Sequence, residues 1–216
     1  MESLLKSLRE QYQSSDFEAV KTSLIDNKDA FDKGEFHYNL GTVYSKTGNY
    51  AVGRYHLEKA VYEGYDTAAT KHNLKIVKDK LSTQDLSTSQ SIDDVLLSKS
   101  ISYGPDFFIF VTLIFLVVSI VLFNKKVVKR WGVAILILLS LTPITAKHFY
   151  LDNLNIAVLF NDSNVYEGPS GIFEKTGEIP KGAKVLVGKT IDGWFFIERP
   201  VEYVGWIKMN DVGILK

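Results

Sequence analysis

Residues 107–123 read FFIFVTLIFLVVSIVLF, a run of 17 residues without a charge, in which only Thr112 and Ser119 are polar. An α-helix rises about 1.5 Å per residue, so the run spans about 25 Å, and flanking residues complete a hydrocarbon core of about 30 Å. A second apolar run, residues 131–146, contains Pro143, which predicts a kink because proline has no N–H to donate. Transmembrane helices are therefore predicted over residues 103–124 and 131–150.

Only NKKVVKR, residues 124–130, separates the two runs, so the helices are predicted to form a hairpin. The turn holds four basic residues and no acid, and since Lys and Arg near membrane spans concentrate in cytoplasmic loops, these residues are the predicted topology determinants. They are Lys125, Lys126, Lys129 and Arg130. A cytoplasmic turn over 125–130 places both flanking regions in the periplasm of a bacterial inner-membrane protein. The alternative, two buried helices of a soluble core, is disfavoured by the flanking charges.

The composition excludes several classes of protein. The chain has 216 residues, 25 basic and 25 acidic side chains, and no cysteine. Neither soluble region has the basic excess of a nucleic-acid-binding surface. Disulfides, cysteine-ligated zinc and thiol chemistry are impossible without cysteine. The fold class predicted is multi-domain, with a helical region, a membrane hairpin and a β region.

Residues 1–81 carry helical apolar patterns that repeat. DFEAVKTSL at 16–24 aligns with NYAVGRYHL at 49–57, a spacing typical of helix–turn–helix repeats. The stretch 36–60 resembles the tetratricopeptide repeat (TPR), with matches at Leu40, Gly41, Tyr44, Gly48, Tyr50, Leu57 and Ala60. The resemblance implies an all-α helical repeat over 1–81 whose concave groove holds a protein segment. Because Gly41 is small, it is expected to let the second helix of the repeat approach the first. The predicted groove residues are Tyr38, Asn39, Thr42, Ser45, Lys46, His72 and Asn73.

Residues 82–102, which include STQDLSTSQS, are rich in serine, and this composition predicts a flexible linker. Ser91 is placed to cap a short helical turn over the apolar residues that follow it. The linker would tether the helical region near the membrane without fixing it there.

Residues 151–216 change to a period of two with frequent turns, which predicts about five short strands in a small all-β barrel. The region resembles bacterial SH3-like domains at 157–170, 179–182, 192–197, 204–208 and 212–215. The predicted barrel core is Val158, Val165, Val185, Val187, Phe196, Ile207 and Leu215. The predicted groove for an extended peptide is Tyr166, Trp194, Tyr203 and Trp206, with the alternative that the tryptophans only fill the barrel.

No pattern in the chain predicts catalysis, a metal site or a cofactor. The four histidines lack metal-ligand spacing, and the sequence has neither a nucleophile elbow nor a phosphate-binding glycine loop. His37 and His72 are expected to approach each other across the helical groove. We therefore interpret the chain as a non-enzymatic scaffold or adaptor that binds proteins, or alternatively as a cell-wall sensor whose SH3-like domain binds peptidoglycan peptide.

The order of TPR repeats, linker, membrane hairpin and SH3-like domain resembles the Bat family of the bacterial aerotolerance operon, in particular its component E. The resemblance implies an inner-membrane protein that acts in oxygen or envelope-stress tolerance. Its implied partners are other Bat-family proteins with von Willebrand A or TPR domains, besides membrane lipid.

The first residues, MESLLKSLREQ, resemble the start of an amphipathic helix rather than an apolar export signal. If the helical region is periplasmic, we therefore expect a different start site or processing of the protein. The alternative is that both soluble regions are cytoplasmic.

Overall fold

The computed structural model describes residues 2–216, apart from the side chain of Arg130. The chain divides into a helix–sheet unit, formed by residues up to Gln90 together with Asn155–Lys216, and a hairpin unit, Ser91–Leu154. The helices of the helix–sheet unit are α1 (Glu2–Gln13), α2 (Phe17–Asp26), α3 (Lys33–Lys46), α4 (Tyr50–Tyr62) and α5 (Ala68–Leu81). Its strands are β1 (Asn155–Leu159), β2 (Ser163–Tyr166), β3 (Lys175–Ile179), β4 (Lys184–Ile191), β5 (Trp194–Arg199), β6 (Gly205–Lys208) and β7 (Val212–Ile214).

Helices α3 and α4 pack closely because glycine lies where they meet. A Cβ atom on Gly41 would lie 2.7 Å from Leu57 Cγ, and one on Gly53 would lie 2.6 Å from Ser45 Oγ. Gly34, at the start of α3, faces Ala60 and Tyr65 near the end of α4, so the two helices run antiparallel. The predicted role of Gly41 in helix approach is therefore confirmed.

The β region is one open antiparallel sheet with strand order β3-β2-β6-β5-β4-β1-β7. The sequence predicted about five strands, whereas the structure forms seven within the described residues, with β3 and β7 at the edges. Because the strand order ends at these two edges, the sheet does not close into the predicted barrel.

One face of the sheet holds an apolar core. Its buried members are Ala157, Leu159, Val165, Ile179, Ala183, Val185, Val187, Ile197, Ile207 and Val212. The prediction for Phe196 was wrong: it is only half-buried, and Ile197 occupies the core instead. In β5 the residues alternate between faces, and Phe195, which packs on the core, fixes Phe196 on the opposite face.

The opposite face of β1 and β7 is covered by α4. Val158 and Leu215 are buried as predicted, but they alternate with core residues and so point toward the helices. The Tyr55 ring lies beside Gly213, and Lys59 Nζ donates a 2.6 Å hydrogen bond to the Leu215 carbonyl. The helices and the sheet thus bury surface against each other within one unit.

A buried charged cluster joins α4 to the sheet. Arg54, with 1% of its surface exposed, pairs with Asp85, lies 3.5 Å from Glu58, and donates a 2.7 Å hydrogen bond to the Gly182 carbonyl. Lys184 Nζ on β4 lies 2.8 Å from the second carboxylate oxygen of Glu58. Burial by itself would raise the pKa of Glu58, but Lys184 and Arg54 outweigh it and lower the pKa to about 2. Burial would also raise the pKa of Asp85, but Arg54 outweighs it and lowers that pKa, so both carboxylates are charged at neutral pH.

Residues 83–90 are packed against the sheet, which differs from the flexible linker that their composition predicted. Leu86 is fully buried, and its N–H donates to the Lys184 carbonyl at 3.1 Å. Glu202 accepts hydrogen bonds from Ser89 Oγ at 3.0 Å and from Gln90 N–H at 2.6 Å. Polar residues that resemble a linker in sequence instead form part of the helix–sheet contact.

The hairpin unit contains α6 (Ile92–Ser102), α7 (Pro105–Asn124), α8 (Arg130–Ser140) and α9 (Thr142–Phe149). The predicted kink appears as a break at Leu141, two residues before Pro143. Since proline cannot donate to the carbonyl of Leu139, the Thr142 hydroxyl does so instead, at 2.7 Å.

Two segments of this unit, Pro105–Asn124 and Trp131–Asn153, are long and apolar enough to cross a membrane. Only 17% and 6% of their apolar windows are buried, whereas the core helices of a soluble protein are mostly buried. Helix α7 turns Phe108, Thr112 and Ser119 inward, and Lys147 on α9 lies 5.7 Å from the Phe108 ring centre. Most other apolar side chains of α7 are exposed, and Val111, Leu116 and Leu122 are half-buried.

Candidate functional site

Helices α1, α2 and α3 enclose an open hollow of ≈ 230 Å³. Leu5 and Tyr12 form an apolar rim on α1, where their exposed fractions are 44% and 37%. The remaining lining residues are Leu8, Arg9, Val20, Leu24, Phe31, Glu35, Asn39, Thr42 and Val43. The hollow combines apolar walls with a few polar side chains, which is the usual composition of a ligand pocket.

The polar side of the hollow is formed mainly by α3. Within the described part of the chain, the Asn39 amide has no side-chain hydrogen bond, so its donor and acceptor are available to a bound backbone. The Thr42 hydroxyl donates to the Tyr38 carbonyl at 2.9 Å and accepts from Asn73 Nδ2 at 3.1 Å. Thr42 and Asn73 are thereby held in fixed positions beside Asn39.

The other predicted groove residues lie elsewhere. Tyr38 packs on Tyr65, with ring centres 5.3 Å apart, and Ser45 donates to the Gly41 carbonyl at 2.6 Å against α4. Lys46 and His72 are exposed and do not line the hollow. Leu5, Leu8 and Tyr12 also line the hollow but were not among the predicted groove residues, because their helical spacing on α1 is equally typical of core residues.

The sheet carries a row of aromatic residues on the face opposite its core. Tyr166 and Trp194 meet edge to face with ring centres 5.4 Å apart, and Phe196 packs on Trp206 at 5.3 Å. Trp206 is directly opposite Tyr166 in the β2–β6 pairing and is only 8% exposed. Three of the four predicted residues thus share a face, but Tyr203 packs against the apolar core.

The sequence predicted that His37 approaches His72, but His37 pairs with His56 on α4 instead. Their Nδ1 atoms are 2.8 Å apart, so one imidazole donates and the other accepts. The His56 ring also lies parallel to Tyr44, with centres 5.4 Å apart. Burial, followed by the effect of His37, lowers the pKa of His56 to about 3. Burial also lowers the pKa of His37, and nearby Lys59 adds to that shift.

Among the described residues, no group of three or more His, Cys, Asp or Glu side chains is placed to hold a metal ion. The predicted topology determinants Lys125, Lys126 and Lys129 are exposed in the turn between α7 and α8. Arg130 begins α8, but its side chain lies outside the described part of the chain.

Comparison of the chain with family models, curated proteins and solved structures found no match.

Proposed function

We propose that the protein is a non-enzymatic membrane scaffold whose helix–sheet unit binds protein partners. The open hollow between α1, α2 and α3 carries this proposal, because it presents apolar rim residues and an unpaired amide together. The two segments of membrane length support attachment to a membrane. In this proposal the hairpin anchors the chain, and the hollow holds a segment of a second protein.

The proposed helical fold is a short TPR-like array, and the proposed β fold is SH3-like. The spacing of 33 residues between DFEAVKTSL and NYAVGRYHL, together with the close approach of α3 and α4 at Gly41, supports the first. The short antiparallel strands and aromatic row support the second. The order of these modules further supports a role in a Bat-type oxygen or envelope-stress complex in the bacterial inner membrane.

Photo-cross-linking tests the hollow. A benzophenone side chain at Leu5 is expected to capture a protein partner in cells, and one at Ile76 on α5 is the control. Both positions are 44% exposed in the structure, but only Leu5 lines the hollow. Asn39→Trp, which fills the hollow, should reduce the Leu5 adduct at least about tenfold, since a lost anchor costs more than about 1.4 kcal/mol. Equal adducts from Leu5 and Ile76, or an adduct that survives Asn39→Trp, would contradict the proposal.

Reporter fusions test the proposed orientation. Alkaline phosphatase is expected to be active after Lys216 and inactive within residues 124–130, because the lysines of this turn disfavour its translocation. Two crossings place both soluble regions on one side of the membrane, so the two fusions must give opposite results. The reverse pattern would place both regions in the cytoplasm. That outcome would exclude the cell-wall alternative and leave the scaffold.

A further inference from the structure

The turn between α7 and α8 concentrates positive charge without compensation. The sequence contains no acidic residue between Asp106 and Asp152, a stretch that includes both apolar runs, 107–123 and 131–146. Among the described residues, the ion pairs do not involve Lys125, Lys126 or Lys129. All three lysines are exposed, so their ammonium groups are available to an external anion.

The backbone of this turn fixes the position of Lys126. The N–H of Lys126 donates to Phe123 at 2.8 Å, and that of Val127 donates to Leu122 at 3.1 Å, which closes the end of α7. Lys126 has a φ of +56°, a left-handed conformation that glycine usually supplies at this position of a helix end. A lysine at this position places a cation at the centre of an ordered turn.

The turn surrounds a hollow of ≈ 590 Å³, lined by Phe123, Asn124, Lys126, Val128 and Lys129. Lys129 is also the N-cap residue of α8, and no side chain caps that helix end. The α8 N-terminus and the C-terminus of α7, which ends at Asn124, carry opposite partial charges at this turn, so the net positive field comes from the two lysines. The hollow can neutralise an anion of phosphate size.

The surroundings of the hollow favour a lipid over a free anion. Val127, which follows Lys126, is 67% exposed, and Trp131, which lies beyond Lys129, is 86% exposed. Tryptophan is enriched at the interface between membrane and water, and apolar side chains beside a basic cluster match a phosphate that carries acyl chains. Both helices that leave the turn belong to segments of membrane length.

We propose that the α7–α8 turn binds the headgroup of an anionic phospholipid. Lys126 and Lys129 contact the phosphate in the hollow, Lys125 adds charge at its edge, and Val127 and Trp131 lie against the acyl region. The site rests on the proposed membrane placement of the hairpin. It would give the scaffold a preference for membranes, or membrane regions, that are rich in anionic lipid.

The test uses the full chain in nanodiscs of phosphatidylcholine, with phosphatidylglycerol of the same acyl composition added in steps. Native mass spectrometry then counts the lipids that stay bound to the released protein. The wild-type chain is expected to retain phosphatidylglycerol at least about tenfold over phosphatidylcholine, because each lysine near the membrane surface adds to the attraction of an anionic headgroup. The variant Lys125→Gln/Lys126→Gln/Lys129→Gln should lose most of that preference.

The matched control is Lys181→Gln/Lys189→Gln/Lys208→Gln, which removes three exposed lysines from the helix–sheet unit and should keep the preference. A wild-type chain that enters neutral nanodiscs but shows no preference would overturn the headgroup site alone. A chain that fails to enter any nanodisc would overturn the membrane placement as well. Displacement of the bound lipid by millimolar inorganic phosphate would assign the site to a free anion and reject the lipid.

Discussion

Replacing Arg54 with alanine is expected to lower the free energy of unfolding of the helix–sheet unit by about 3–5 kcal/mol. The substitution leaves the Asp85 carboxylate buried without its cation and removes the hydrogen bond to the Gly182 carbonyl. Glu58 keeps Lys184 as a partner, so the loss falls mainly on Asp85. Urea unfolding measures this loss of stability, with tryptophan fluorescence as the signal. A Trp131→Phe background leaves only Trp194 and Trp206 to report on the sheet.

Two further variants separate a buried charge from a simple loss of contact. Lys71→Ala breaks an exposed pair with Asp66, so it should cost no more than about 1 kcal/mol. Arg54→Met with Asp85→Leu removes both buried charges, so it should recover at least half of the loss, because apolar pairs often replace buried ion pairs without cost. If Arg54→Ala costs less than the exposed-pair control, the charged cluster does not hold the helices to the sheet.

The elements that the sequence predicted well are those set by local patterns. The apolar run 107–123 predicted α7, and Pro143 predicted the break before α9, because both effects act within a few residues. The glycine at position 41 likewise predicted the close approach of α3 and α4 from its repeat position alone. Residue type and spacing suffice where the physical cause is near in sequence.

The helical turn predicted after Ser91 is present in α6. The flexible linker was wrong for residues 83–90, because the partners that order them lie far away in the sequence. Asp85 pairs with Arg54, and Ser89 bonds to Glu202, so a polar stretch becomes buried through partners more than 30 residues distant.

The aromatic row of the sheet differed from prediction for a related reason. Trp194, Phe195, Phe196 and Ile197 are all apolar, so only the pairing of β5 with its neighbours decides which of them faces the core.

Acidification from pH 7.5 to pH 5.0 is expected to destabilise the helix–sheet unit, with His56 contributing about 2 kcal/mol. The folded state lowers the pKa of His56 to about 3, whereas an unfolded histidine titrates near 6.5. The unfolded chain therefore binds more protons than the folded chain below pH 6.5, and stability falls as the pH falls through this window. Glu58 and Asp85 stay charged in the folded state, and unfolded carboxylates begin to bind protons only below about pH 5.

The variant His56→Phe isolates this contribution. Phenylalanine can keep the parallel contact with Tyr44 but cannot bind a proton, so the variant should lose about 2 kcal/mol of the pH dependence between pH 7.5 and 5.0. Val43→Ala, a buried substitution on α3 that removes no titratable group, provides the control, and it should lower stability without changing its slope against pH. Lys59 and Glu63 act on His37, so the His37 contribution remains in both variants. An unaltered slope in His56→Phe would mean that His56 accepts a proton without unfolding, and the Nδ1–Nδ1 contact would then not hold both rings neutral.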